Sequence, residues 1–447
     1  MTPASGSHAM HTRSRISALA LRWLLAMLPV IGLAADSASS PPRFEGVASC
    51  ASSLCHGSAR PLSAHAVLQN EYVTWSQFDP HANAYRVLLE ARSQHIAEQM
   101  GIGPAHKAPQ CLACHAEVVP AARRGARHQL SDGIGCESCH GAAERWLPTH
   151  HQSPAVSHAD NLARGLVALE QPNVRALVCT GCHVGDRNRF ANHAMMAAGH
   201  PRLVFDLETY TELWRTSGGR EHYRKRSAPP PAVWVAGILS ATRRQFELLD
   251  AHAARSARAD FSVYACHTCH RDLRVAAFGA AAAADSRAAD PLAGAPGELR
   301  MQDGQLRLLL VVADALQLDS RELIAATRRL QVALNREPGQ LPVALREARQ
   351  QLDALEGAVT RRAWSTRDSR TVFEVLLRAA RSGSFPDPAA AEQAAMGLVM
   401  LLAELDLDRS RSAQIDALFA TLRDDNAFDG RRFARVLEQI EKSAASR

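Results

Sequence analysis

The feature that most restricts this chain is how it spends its cysteines. All ten sit in five short motifs, and each motif is closed by a histidine. Cys111-Leu112-Ala113-Cys114-His115, Cys136-Glu137-Ser138-Cys139-His140, Cys179-Thr180-Gly181-Cys182-His183 and Cys266-His267-Thr268-Cys269-His270 leave two residues between the thiols. Cys50-Ala51-Ser52-Ser53-Leu54-Cys55-His56 leaves four. Two thiols followed at once by histidine is the pattern of covalent haem c attachment: each sulfur adds to a vinyl group, and the histidine is held under the iron as its proximal ligand. A structural zinc site would not need the adjacent histidine every time, and no thiol is left for a nucleophile or a thiolate metal site. At Cys50 the longer spacer keeps a small local disulfide open as the alternative, as would suit an oxidising compartment. The expected cofactor set is five haem c groups on Cys50, Cys55, Cys111, Cys114, Cys136, Cys139, Cys179, Cys182, Cys266 and Cys269. His56, His115, His140, His183 and His270 are the expected proximal ligands.

Composition agrees with buried porphyrin. Aromatic residues make up only 5% of a 447-residue chain, and flat macrocycles would supply the missing apolar surface. The formal charge is +6, and basic residues are almost all arginine, with Lys107, Lys225 and Lys442 the only lysines. Losing Arg13, Arg15 and Arg22 with an N-terminal leader leaves +3. Two propionates against one ferric porphyrin add about one negative charge per haem, for a holo-protein near −2. The basic balance is therefore no signal for nucleic acid, and several arginines suit propionates as planar, forked partners.

Residues 1–35 have the pattern of a secretory signal peptide, with arginines ahead of an apolar run from Trp23 to Ala35 and a small-residue cleavage site at Gly32-Leu33-Ala34 or Leu33-Ala34-Ala35. That run is shorter than the ~18–20 residues a bilayer span needs, which leaves an uncleaved anchor as the alternative. Export fits the thiols, and the expected location is the periplasm, with membrane contact only peripheral or through such an anchor. Residues 44–275 then form the expected pentahaem domain, 276–299 an Ala/Gly/Pro-rich linker and 300–447 a helical bundle. The fold class is all-α, with a haem-organised part of short helices and loops and little regular structure beyond them. In the bundle, Leu-rich periodicity predicts helices near 304–316, 320–335, 341–357, 368–382, 388–405, 411–424 and 428–443. Asp319-Ser320 and Asp387-Pro388 are start signals there, and Pro386 is a breaker. Within the haem part, Asp79 as cap, Pro80 in the first turn and Gly101 as stop predict a single helix carrying His81, Tyr85, Leu88 and His95 near one face.

Each iron has a second axial position. The candidates to fill it are His81, His150, His193, His200 and His222. His150 follows the third motif closely, and His193 and His200 flank a short segment that can serve two different haems. His65, His95, His106, His128, His151, His158, His252 and His267 read as ordinary polar histidines, and Met195 or Met196 is the alternative axial sulfur, which would raise a haem's potential.

Several stretches resemble the multihaem cytochromes of the cytochrome c-554 superfamily, loosely related to hydroxylamine oxidoreductase and pentahaem nitrite reductase. They are Asp79-Pro80-His81-Ala82-Asn83-Ala84-Tyr85, Gly135 to Gly141 with Trp146 and His150, Asn192-His193 through Leu203, and Tyr264 to Leu273. The resemblance covers about residues 45–275. It implies closely stacked, mostly bis-histidine haems passing electrons through the periplasm, with His150 on the first haem. The chain departs from that pattern in having five motifs where cytochrome c-554 has four, and in the wide spacer at Cys50.

Two functions follow. With the irons mostly closed by two histidines, the protein relays electrons between redox partners, quinol-linked or soluble cytochromes, since a six-coordinate iron exchanges electrons but does not easily bind substrate. With one iron left five-coordinate, it is instead a haem enzyme acting on a small nitrogen or sulfur species such as nitrite, hydroxylamine or nitric oxide, with Arg202, Arg224, Arg226 or His222 lining an anion pocket. The helical C-terminal part offers no chemistry and reads as a packing or docking module.

Overall fold

The protein was analysed as a computed structural model, which describes residues 40–62, 67–216, 228–255, 260–270, 290–292, 298–408 and 411–445. The leader, His65, His222, Arg224, Arg226 and most of the expected 276–299 linker lie outside them. Residues from Pro42 onward form one compact unit. Among the described residues there is no strand, only isolated bridges such as Phe44 with Arg124 and Tyr264 with Met301. No described helix is long and apolar enough to cross a membrane.

The first part of the chain is built of short pieces: α1 (Glu71–Phe78), α2 (Ala91–Gln99), α3 (Pro109–His115), α4 (Cys136–His140), α5 (His158–Ala163), α6 (Pro172–His183), α7 (His193–Ala197) and α8 (Leu207–Thr216). The motifs fall where helical geometry needs them. Cysteines at i and i+3 with histidine at i+4 share one helix face, and three motifs occupy the last turn of α3, the whole of α4 and the last turn of α6. The fifth folds as a 3-10 turn, Cys266–Thr268, closed by the His270 amide on the Cys266 carbonyl at 2.8 Å. The first, with its two extra residues, is a turn in which the His56 amide reaches the Cys50 carbonyl at 3.2 Å.

The single helix expected from Asp79 to Gly101 is broken. Asp79 caps a 3-10 turn, Pro80–Asn83, a second turn spans Arg86–Leu89, and α2 begins only after an extended Glu90. The side chains of Ser93 and Gln94 hold the Val87 and Leu88 carbonyls that the break frees. His81, Tyr85, Leu88 and His95 therefore do not share a helix face. Gly101 does end α2, at φ +64°.

A long helix that the sequence reading did not register, α9 (Pro230–Arg255), runs the length of the core. It packs along α6 on one side, where Thr180 and Ser240 hydroxyls meet at 2.8 Å in a buried contact. On the other side it meets α10 (Gly304–Ala315), α12 (Leu341–Thr360) and α14 (Pro388–Glu404). The remaining helices are α11 (Arg321–Asn335), α13 (Thr366–Arg381), α15 (Ser412–Ala420) and α16 (Gly430–Ala445), so the seven expected from periodicity are all present to within a few residues. Asp387 caps α14 by accepting the Ala390 amide at 2.8 Å, with Pro388 in the first turn. Helix α10 is buried on nearly every side: its apolar run Leu308 to Ala313 is buried whole, and Gln305 and Arg307 are buried with it. The apolar core of this bundle is not confined to 300–447, because Trp234, Ile238, Leu239, Phe246 and Leu249 of α9 belong to it.

Candidate functional site

Histidines that the sequence separates by dozens of residues stand in pairs. The ring centres of His56 and His150 are 6.2 Å apart, those of His81 and His183 5.9 Å, and those of His193 and His270 6.3 Å. Each pair joins one motif histidine to one distal candidate. Two metal–nitrogen bonds of about 2 Å, plus about 1.1 Å from each nitrogen to its ring centre, put two axial imidazoles about 6.2 Å apart. The residues present therefore fit an iron between the rings. His115 and His200 form a fourth neighbouring couple: burial pushes His115 down, the Ala84 carbonyl opposes this, and His200 adds to it. His140 lies on α4, and the remaining distal candidate, His222, lies outside the described residues. Among the described residues no three His, Cys, Asp or Glu side chains converge as an all-protein metal site.

The second ring nitrogen sorts the histidines further. A ligand held through Nε2 donates its Nδ1–H to a carboxylate or carbonyl, which fixes tautomer and orientation. His56 Nδ1 meets Glu71 Oε2 at 2.8 Å, and His81 Nδ1 meets Asp79 Oδ1 at 2.9 Å. His115, His150 and His200 use Nδ1 on the carbonyls of Ala84, Leu147 and Pro201 at 2.8–2.9 Å. In all five, Nε2 is left for a metal. His128 and His158, read from sequence as ordinary, spend Nε2 instead, on the Glu117 carbonyl and the Glu170 carboxylate. The Glu71 and Asp79 carboxylates raise His56 and His81 against the opposing effect of burial. His183 stacks on Phe205 with ring centres 4.6 Å apart, and burial with His81 opposite draws it down to about 4. A neutral imidazole is the ligating form.

The attachment cysteines are also near one another. The thiols of Cys50 and Cys136 lie close enough to interact, which lowers Cys50 and raises Cys136. The same relationship joins Cys114 and Cys182, with Cys182 drawn down to about 6, while burial and the nearby Cys179 push Cys139 up to about 12. None of the ten cysteines is in a disulfide. One buried carboxylate organises the first of these junctions. Glu137, inside the third motif, accepts the backbone amides of Glu45, Gly46 and Ala143 at 2.7–2.8 Å and so pins the chain that leads into Cys50. Sequence reasoning missed Glu71 and Glu137, which no spacing marks. It read Asp79 only as a cap, although the Asp79-Pro80-His81 order lets one carboxylate hold both the His81 amide and its ring.

His193 and His200 do not lie on one continuous helix. α7 is capped by Asn192, whose side chain accepts the Met195 amide at 2.8 Å, and it ends at Ala197. Gly199, at φ +110°, turns the chain back, so His193 faces His270 while His200 neighbours His115.

Residues 49–141 match the family model described as Cytochrome c554 and c-prime. The match spans the first three motifs and supports a c-type cytochrome with covalently bound haem, acting in electron transfer. No curated protein and no solved structure matches the chain.

Proposed function

We propose that the protein is an exported pentahaem c-type cytochrome that relays electrons between redox partner proteins through closely stacked, bis-histidine haems. The observation that carries this reading is the set of three histidine pairs at 5.9–6.3 Å, each uniting a motif histidine with a distal one. Haem iron supplies the one-electron chemistry. The chain supplies paired ligands, carboxylates and carbonyls that orient them, and spacing. Closed, six-coordinate sites exchange electrons without taking up substrate. The contacts Cys50–Cys136 and Cys114–Cys182, with Cys139 beside Cys179, support a row of attachment sites in the order first, third, fourth, second. The fifth is tied to the second through the segment from His193 to His200. The leader pattern favours the periplasm, and the partners that fit are quinol-linked or soluble cytochromes.

The test is expression with a covalent haem-maturation system in an exporting host. Five haems by pyridine haemochrome and mass, all low-spin and unmoved by carbon monoxide or cyanide, are expected. A high-spin haem that binds carbon monoxide would overturn the relay in favour of chemistry at an open iron, and a colourless product would remove the haem reading altogether.

A further inference from the structure

Only the third of the five motifs carries an acidic residue between its cysteines, Glu137. That residue is 3% exposed. Both of its carboxyl oxygens act as acceptors. Oε1 takes the amides of Glu45 at 2.8 Å and Ala143 at 2.7 Å, and Oε2 takes the amide of Gly46 at 2.7 Å. This is the bonding set of a carboxylate, and three amide donors favour its charged form. Among the described residues no lysine, arginine or histidine pairs with it. The result is a buried negative charge, offset only by backbone dipoles, where solvent screens little.

The charge stands where two attachment sites meet. Its field reaches Cys50 of the first motif as well as Cys136 of its own. At the other sites a cation stands close. The field of Arg175 reaches Cys179, Arg189 Nη1 lies 3.5 Å from Cys182 Sγ, and the field of Arg202 reaches Cys266. The acids there face those cations: Asp186 pairs with Arg189, and Glu392 and Asp425 pair with Arg202. Asp79 stands on His81 of the fourth motif's pair as Glu71 stands on His56 of the first, so those two carboxylates do not distinguish the sites. Glu137 does.

We propose that Glu137 lowers the potentials of the first and third haems together, and so makes that end of the row the low-potential end, from which electrons run toward the second and fifth motifs. This rests on the pentahaem reading and the order of sites given above. A fixed negative charge beside the macrocycle stabilises ferric over ferrous iron, because reduction adds an electron to a region already negative. One carboxylate then both pins the chain that leads into Cys50 and gives the relay a direction.

The experiment is a spectroelectrochemical titration of the full-length holo-protein and of Glu137→Gln, with haem on the Cys50–Cys55 and Cys136–Cys139 peptides checked by mass. Glutamine keeps the shape and, with its oxygen in the place of Oε1, two of the three amide bonds, while it removes the charge. Two of the five one-electron steps, the two lowest in the parent, are expected to rise. The larger rise is expected to be about a tenfold change in the equilibrium constant, about 59 mV, with every haem still low-spin. Glu322→Gln removes the same charge from the exposed first turn of α11 and is expected to leave all steps in place. If Glu137→Gln fails to accumulate or loses a low-spin haem, His150→Ala carries the test. It opens the first iron to carbon monoxide, and the step missing from the titration under that gas is expected to be one of the two lowest of the parent. Haem on both peptides with no step raised, a rise confined to the upper three steps, a shift as large from Glu322→Gln, or a missing step from among the upper three in His150→Ala would overturn this proposal and leave the relay intact. A Cys50–Cys55 or Cys136–Cys139 peptide without haem would overturn it together with the count of five.

Discussion

His81 and His183 meet edge to face, their planes 86° apart and their ring centres 5.9 Å apart. Different devices hold the two rings: the Asp79 carboxylate grips the first through Nδ1, and the Phe205 ring stacks on the second. These two rings would hold one haem iron between them, each kept in place by its own contact.

Replacing His81 with alanine should therefore open one iron and no other. The expected outcome is one high-spin haem among five, newly able to bind carbon monoxide, read by magnetic circular dichroism and by the Soret shift. His128→Ala is the contrasting case. Its Nε2 is already spent on the Glu117 carbonyl at 3.1 Å, so the spin state of every haem should be unchanged.

In the proposed relay Glu71 would act on the first haem through His56, whose Nδ1 it meets at 2.8 Å, without touching the metal. A carboxylate on Nδ1 makes an imidazole a stronger donor and favours ferric iron. Glu71→Gln keeps the shape and removes the charge, so the first haem's potential should rise by tens of millivolts, where about 59 mV is a tenfold change for one electron. Potentiometric titration of the holo-protein measures it, with bis-histidine low-spin spectra retained.

Gly397 on α14 faces Trp234 of α9. A Cβ there would stand 2.6 Å from Cζ2 of the fully buried Trp234. Gly397→Ala gains about 1 kcal/mol of helix propensity but overpacks a rigid core at about 1–3 kcal/mol. A net loss of roughly 1 kcal/mol in thermal unfolding is expected. Combining it with Trp234→Phe should cancel most of that loss relative to Trp234→Phe alone, the signature of a contact between the two sites.

Asp303 and Arg307 form a buried ion pair at 2.8 Å, with Asp290 on the same guanidinium at 2.8 Å. Burial alone would push the Asp303 carboxyl up, but the guanidiniums of Arg307 and Arg300 outweigh it and hold the group below the ordinary range. A lowered folded-state value means that the stabilisation is complete above the unfolded value, about pH 4, and is lost as the pH falls through the folded one. Asp303→Asn should cost roughly 3 kcal/mol at neutral pH by leaving a buried charge short of a partner. The difference between variant and parent should shrink below about pH 4, as followed by helical circular dichroism.

The chain declared its helices and its candidate ligands through different kinds of signal. Every bundle helix was legible because apolar residues repeat with the helical period and because Asp387-Pro388 announces a start. The motifs were legible because the chemistry fixes their spacing. The distal histidines were legible as a set, and the resemblance put His150 on the first haem; that His81 reaches His183 and His193 reaches His270 is a decision of tertiary packing. The helix expected from Asp79 failed because the side chains of Asp79, Ser93 and Gln94 offered local bonds that compete with a continuous ladder. The helix α9 escaped notice because its neighbours on every side let it carry apolar and polar residues without a clean stripe.

The segment Asn192 to His200 acts as a strut with a bearing at each end. One end faces His270 and the other lies beside His115, with only α7 and the Gly199 turn between them. So short a length of chain bounds how far apart the second and fifth motifs can stand. Thermal breathing elsewhere in the molecule would then leave the tunnelling distance across that gap nearly constant.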